Sequence, residues 1–314
     1  MILWIILGTL GTLVTLAFLV SLYCFFKVFY SPKRTLPGPD EYPIPEGDIY
    51  EAHREQITAW TKEIRAANYE RFYIKSFDGL TLSGKYFEYA PGAPLEILFH
   101  GYRGNSERDL CGGVARCFAL GRSALIVDHR AAGESEGHVI TFGINERRDC
   151  LSWINFAVSH FGSDVKIIIT GVSMGAATVM LAAAEDLPSN VVCALADCGY
   201  TSAEEIIKKI VAEMKLPPKL IYPFITLGAR IFGRFDLNET SPIEAMKNAK
   251  IPVIFIHGDA DDFVPCDMSK RLYEACVTQK KFVTIPGAGH GLAFPIDQTG
   301  YVEALRQFEQ ECKF

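Results

Sequence analysis

The 314-residue chain has no CxxC pair and no even set of cysteines. Its nine cysteines are scattered, which excludes a closed disulfide framework and a zinc ribbon. Such usage fits a reducing compartment, where buried thiols fill space as small apolar groups. There is no run of basic residues, and the net charge is −6. That argues against non-specific nucleic-acid binding. There is no internal repeat, hence no solenoid. Disorder is excluded by composition, with 49% hydrophobic and 22% charged residues.

One absence is local. Met1 to Phe26, MILWIILGTLGTLVTLAFLVSLYCFF, carries no charged side chain. As a helix it would extend roughly 39 Å, enough to cross a hydrocarbon core of about 30 Å with some tilt. It lacks the basic start and the small-x-small site of a cleaved signal peptide. Residues 1–26 are therefore expected to be a transmembrane anchor. The nearby cations Lys27, Lys33 and Arg34 all follow the apolar run, so the rest of the chain is expected to face the cytoplasm. The sequon Asn238-Glu-Thr240 reads as a chance tripeptide.

Residues 27–49 include SPKRTLPGPDEYPIPEG, rich in proline and charge, and read as a linker. Residues 50–314 are expected to form the folded domain, opening with a helix from Tyr50 to Ala67. FYIKSF and LTLSGKYFEY flank Asp78-Gly79, a hairpin signal. Six short apolar runs follow, Leu95–Phe99, Ala124–Val127, Lys166–Thr170, Val192–Ala196, Val253–Ile256 and Phe282–Ile285, with helical stretches between them. The pattern predicts an α/β fold, a mostly parallel eight-stranded sheet with helices on both faces.

The interval between the fourth and fifth of these runs is too long for one crossover. Ser202-Ala-Glu-Glu205 is a capping-box start, Pro217-Pro218 a stop, and KLIYPFITLGARIFGRF an apolar run interrupted by Pro223. About 202–249 is expected to be a helical cap inserted after the sixth strand. Its apolar faces could bury themselves on the domain, line an acyl pocket, or touch the bilayer.

Ligands of open parallel sheets sit beyond the carboxyl ends of the strands. The segments there are HGYRGN, DHRAAGESEG, GVSMG, HGDADDFVP and PGAGHG. GVSMG places Ser173 on a strand-to-helix turn, with Gly171 and Gly175 giving the room such an elbow needs. A serine hydroxyl needs a base, and His290 is the best placed; the base needs an orienting acid, and Asp261 precedes it. Asp259, Asp262 and Asp197 are alternative acids. The backbone N–H groups of Met174 and Tyr102 are candidates to hold an oxyanion. Asp128 and Arg130 are expected to pair with each other. His100, His129 and His257 read as structural, and Arg103 as a solvated side chain or a contact to an anionic substrate.

The chain resembles α/β-hydrolases of the serine aminopeptidase and monoacylglycerol-lipase-like branch, and is similar to membrane-anchored bacterial esterases. The resemblance runs from about Tyr69 to Phe314. It is carried by His100-Gly101, Asp128-x-Arg130 with Gly133 and Ser135, Gly171-x-Ser173-x-Gly175, His257-Gly258-x-x-Asp261-x-x-Val264-Pro265 and Gly289-His290. It implies a catalytic triad of Ser173, Asp261 and His290, with oxyanion donors at Tyr102 and Met174. One departure is Ala131, where such chains often have glycine. The expected activity is hydrolysis of carboxylic esters with an apolar acyl group, through an acyl-enzyme and without a metal or organic cofactor. A thioesterase or aminopeptidase would use the same triad, and a non-catalytic binding protein could keep the fold.

Overall fold

The computed structural model describes residues 1–32 and 36–313. Lys33 and Arg34, two of the cations expected to orient the N-terminal helix, lie outside the described residues. Eight strands form one sheet: β1 (Glu70–Lys75), β2 (Thr81–Phe87), β3 (Leu95–Phe99), β4 (Ser123–Val127), β5 (Ile167–Val172), β6 (Val191–Asp197), β7 (Val253–Gly258) and β8 (Lys280–Ile285). Their order is β1-β2-β4-β3-β5-β6-β7-β8. The two pairings made by β2 are antiparallel and the rest are parallel.

The helices are α1 (Ile2–Val28), α2 (Asp48–Glu51), α3 (Arg54–Ala66), α4 (Ser106–Ala119), α5 (Glu146–Phe161), α6 (Met174–Ala182), α7 (Ala203–Glu213), α8 (Pro218–Gly228), α9 (Pro242–Met246), α10 (Cys266–Ala275), α11 (Ala293–Ile296) and α12 (Gln298–Cys312). The central strands are buried on both faces because helices cover both. Leu95, Ile97 and Phe99 of β3 share a core with Trp153 of α5 and Met180 of α6. Leu98, pointing the other way, joins Trp60 of α3 and Phe308 of α12. The helix expected from Tyr50 breaks at Ala52–His53 into α2 and α3.

Helices α7 and α8, with a π-turn at Ala229–Gly233, form the insertion after β6. Ser202 caps α7 by accepting the Glu205 N–H at 3.0 Å. The insertion packs on the last turns of α1. Cys24, Phe25 and Phe29 share a core with Ile206, Val211 and Ile225. Gly228 makes this possible, since a Cβ there would lie 2.6 Å from the Ser21 carbonyl oxygen. Beyond α1 the chain lies against the domain: Ile140 N–H donates to Phe29 O and Ser31 N–H to His138 O, each at 2.8 Å.

Asp128 and Arg130 do not pair. Asp128 accepts the backbone N–H groups of Ser106 (2.8 Å) and Glu134 (3.0 Å), which occupy its two oxygens. Gly133 leaves room for that carboxylate, which a Cβ would meet at 2.1 Å. The Arg130 guanidinium instead forks onto Asp149 of α5, with two contacts of 2.7 Å, and reaches Asp78 at 2.9 Å. Ala131, next after Arg130, has φ +61, the left-handed conformation that explains a preference for glycine there.

One strand residue breaks the apolar rule. Glu96 of β3 is fully buried and meets Arg116, Arg122 and the Thr170 hydroxyl. Burial alone would raise its carboxyl, but the two guanidinium charges outweigh that and hold it at about 2. Its contribution to stability is therefore complete above an ordinary glutamate value of 4.5 and is lost as pH falls toward about 2. Glu96→Gln leaves the buried Arg116 without its counter-charge and Arg122 with Glu309 alone, and should cost about 3 kcal/mol in urea unfolding at neutral pH. The difference from wild type should shrink as pH falls through that window.

Candidate active site

The parallel register brings the polar loops to one edge of the sheet. Phe99 pairs with Gly171, Val172 with Asp197, Asp197 with Ile256 and Gly258 with Ile285. Ser173 sits between β5 and α6 with φ +57 and ψ −113, strained for a residue with a side chain. The strain is held by close packing on both sides. A Cβ on Gly171 would lie 2.0 Å from Gly175 C and O, and one on Gly175 would lie 2.0 Å from Phe99 O. The Ser173 N–H donates to Asp197 O at 2.9 Å.

From there a row of side chains runs across three loops. Ser173 Oγ lies 2.9 Å from His290 Nε2, and His290 Nδ1 lies 2.7 Å from Asp261 Oδ2. The Asp261 carboxylate is buried and accepts three further N–H groups: those of Phe263 (3.0 Å) and Val264 (2.8 Å), and His257 Nε2 (3.1 Å). Burial opposes its charge, but these hydrogen bonds and His290 hold the carboxyl at about 2. As an ionised group it only accepts, so the His290 proton belongs on Nδ1 and Nε2 is left to accept from the serine hydroxyl. Two of the alternative acids are elsewhere engaged. Asp259 accepts Gly287 N–H at 2.7 Å, and Asp197 accepts the Tyr301 hydroxyl at 2.8 Å.

The candidate oxyanion donors flank the serine. Met174 is the first residue of α6, where an N–H has no acceptor within the helix. Tyr102 follows Gly101, whose missing Cβ would sit 3.6 Å from Ser173 Cβ. The Tyr102 hydroxyl donates to Val28 O at 2.7 Å, and Arg103 donates to Lys27 O (2.8 Å) and Tyr30 O (3.2 Å). Arg103 thus caps the end of α1. The other histidines sit in structural bonds: His100 Nε2 accepts the His129 N–H at 3.0 Å, and His257 Nδ1 meets Ser269 Oγ at 2.6 Å.

A cavity of about 420 Å³ opens at Ser173 and His290. Its walls are Ile49 and Tyr50, Ile57 and Trp60 of α3, Leu110 and Gly112 of α4, and Leu292 and Phe294. The Trp60 and Phe294 rings stack with centroids 5.5 Å apart. None of the described residues between 202 and 249 lines it, so the inserted helices leave the cavity to the segment before the first strand. Tyr50 also donates to His290 O at 2.9 Å, tying that segment to the histidine loop. The sequence offered no signal for Tyr50, which lies far from the motifs. Cys198 is a further neighbour, its Sγ within 4.8 Å of an Asp261 oxygen and a His290 nitrogen. Burial pushes its thiol well above the ordinary value, so with no cation beside it the group stays protonated.

The elbow yields a direct test. Gly175→Ala drives a Cβ into the Phe99 carbonyl, a backbone atom that cannot step aside. It should destabilise the protein by about 3 kcal/mol or more. Ala131→Gly, relieving a left-handed alanine, should instead be neutral or stabilising by up to about 1 kcal/mol. Paired thermal or urea unfolding curves check both.

The prolyl oligopeptidase family model matches residues 141–313, more than half of the chain. YqkD of Bacillus subtilis is 27% identical over 190 residues, 60% of this chain and 62% of that protein, so the match spans less than two thirds of YqkD. Protein bem46 of Schizosaccharomyces pombe is 26% identical over 290 residues, 90% of this chain and 87% of its own. The solved esterase Pf2001 of Pyrococcus furiosus superposes with a TM-score of 0.64 at 20% identity, covering 86% of this chain and 96% of that one. That likeness is one of fold. With its second half matched from the loop before α5 through α12, this chain belongs to the prolyl oligopeptidase family, within the α/β-hydrolase superfamily.

Proposed function

We propose that the protein is a membrane-anchored serine hydrolase that cleaves carboxylic esters with an apolar acyl group. The observation that carries this is the row Ser173 Oγ, His290, Asp261, with bonds of 2.9 and 2.7 Å, at the mouth of a largely apolar cavity. Ser173 attacks the ester carbonyl while His290 Nε2 takes its proton, and the Asp261 charge stabilises the imidazolium. The N–H groups of Met174 and Tyr102 hold the oxyanion. His290 then protonates the departing alcohol, and in the second half it activates water to release the acid. These side chains account for every proton, so the reaction needs no metal or organic cofactor. Helix α1 is long and apolar enough to cross a bilayer, and Lys27 at its end supports a cytoplasmic-facing domain.

A second reading, cleavage of a substrate with a free amine, draws support from Glu46 and Asp48 on the cavity wall. The cap glutamates give it none. Glu204 and Glu213 pair with Lys208 and Lys209, and Glu205 with Arg271.

Hydrolysis of p-nitrophenyl esters from acetyl to palmitoyl by the solubilised full-length protein tests the proposal. Activity should favour medium or long chains. Ser173→Ala should lower kcat on the order of 10⁶-fold, and Asp261→Asn roughly 10⁴-fold. A fluorophosphonate probe should label wild type and not Ser173→Ala. Wild type that is no more active or reactive than Ser173→Ala would sink the proposal, and preference for aminoacyl anilides would select the amine reading.

A further inference from the structure

We propose that the outer face of the inserted helices is immersed in the bilayer beside α1, with lipid phosphates gathered by the basic residues of the same segment. This rests on the reading that α1 crosses a membrane. The argument begins with length. Phe18 of α1 meets Phe232 of the π-turn edge to face, with centroids 5.2 Å apart. The helix free of the insertion is thus Ile2 to Ala17, roughly 24 Å at 1.5 Å per residue, against a hydrocarbon core of about 30 Å. The remaining depth must be found at the level that the insertion occupies.

There is no spacer to relieve this. Ser21, Cys24 and Phe25 are already buried against the domain, and Gly228 brings α8 into contact with the Ser21 carbonyl. The insertion carries an apolar surface to match. Leu220 and Leu227 are 62% and 38% exposed on one side of α8, two turns apart, and Ile231 (45%) follows on the π-turn. Met214 (65%) and Leu216 (43%) extend it at the turn between α7 and α8. The depth argument places this face within or beside the hydrocarbon.

Charge points to the same occupant. From Met214 to Phe235 the chain has four cations, Lys215, Lys219, Arg230 and Arg234, and no acidic residue, in a protein of net charge −6. Arg230 pairs with Asp236 at 2.9 Å. Lys215, Lys219 and Arg234 have no ion-pair partner among the described residues. Long basic stems beside exposed leucines suit an interfacial helix that sinks its apolar side and reaches back to headgroups.

Full-length protein in vesicles with brominated acyl chains tests this by tryptophan quenching. Trp153 lies in the core and Trp60 in the cavity wall, so their quenching is read from Trp4→Phe alone and the excess in wild type reports Trp4 on α1. A Trp4→Phe, Leu220→Trp variant reports the insertion instead, at an exposed site that tolerates an indole. Bromine quenching is expected in both proteins. For the insertion it should be stronger in phosphatidylcholine mixed with phosphatidylglycerol than in phosphatidylcholine alone. Each basic side chain near an anionic surface is worth roughly fivefold in occupancy, so Lys215→Gln, Lys219→Gln and Arg234→Gln together should remove that difference. Quenching of Trp4 without quenching at position 220 overturns the proposal while leaving the anchor intact. A blue-shifted but unquenched indole at 220 does so too, because protein would then cover the face. Equal quenching in the two vesicles overturns the headgroup part. Quenching in neither protein removes the anchor reading and this proposal with it.

Discussion

Everything at the candidate site depends on how closely α6 approaches the strands beneath it. Gly171 touches the backbone of Gly175, and Gly175 touches the carbonyl of Phe99, with no space for a side chain at either place. That contact holds Ser173 at φ +57 above the end of β5 and directs the N-terminus of α6 toward the same point. Nothing in the local propensity of GVSMG favours this conformation. It persists because the flanking strands and helix are fixed by burial, β5 lying between β3 and β6 and apolar on both faces.

A second constraint lies beneath the sheet. The Glu96 carboxylate puts a charge in the middle of an otherwise apolar strand, and the chain answers with two arginines, one in α4 and one leading into β4. A buried set of this kind contributes less to stability than to uniqueness, because any other packing of α4 would strand a charge in the core. α4 is also a wall of the cavity, through Leu110 and Gly112. The polar network and the shape of the cavity are thus fixed by the same helix.

The sheet was legible because its strands are short apolar runs that end in glycine-rich polar segments, a pattern set by burial on two faces. The row of Ser173, Asp261 and His290 was legible for the same reason: each follows a strand directly, so strand order places it. Contacts between distant segments were not. Arg130 is two residues from Asp128, yet its guanidinium finds Asp149 and Asp78, because backbone N–H groups already occupy Asp128. Ile49 reads as the last residue of a proline-rich linker and Tyr50 as the first of a helix, and nothing periodic shows that they wall the cavity. The glutamate in LEILF sits inside an apolar run, and nothing local in the sequence points to its partners Arg116, Arg122 and Thr170. The destination of the inserted helices depended on where α1 lies, which hydropathy does not encode.

The C-terminal end of α1 also braces a loop of the candidate site. Its last carbonyls receive the Tyr102 hydroxyl and the Arg103 guanidinium, from the loop that also abuts Ser173 through Gly101. A helix so held acts as a lever with its fulcrum on the insertion. Spanning helices adjust their tilt to the thickness of the surrounding lipid, and a change of tilt in α1 would pull on the Tyr102 and Arg103 side chains of that loop. If α1 spans a bilayer as proposed, the thickness of that bilayer becomes a mechanical input to the loop beside Ser173, and a chain cut free of α1 would lose this brace.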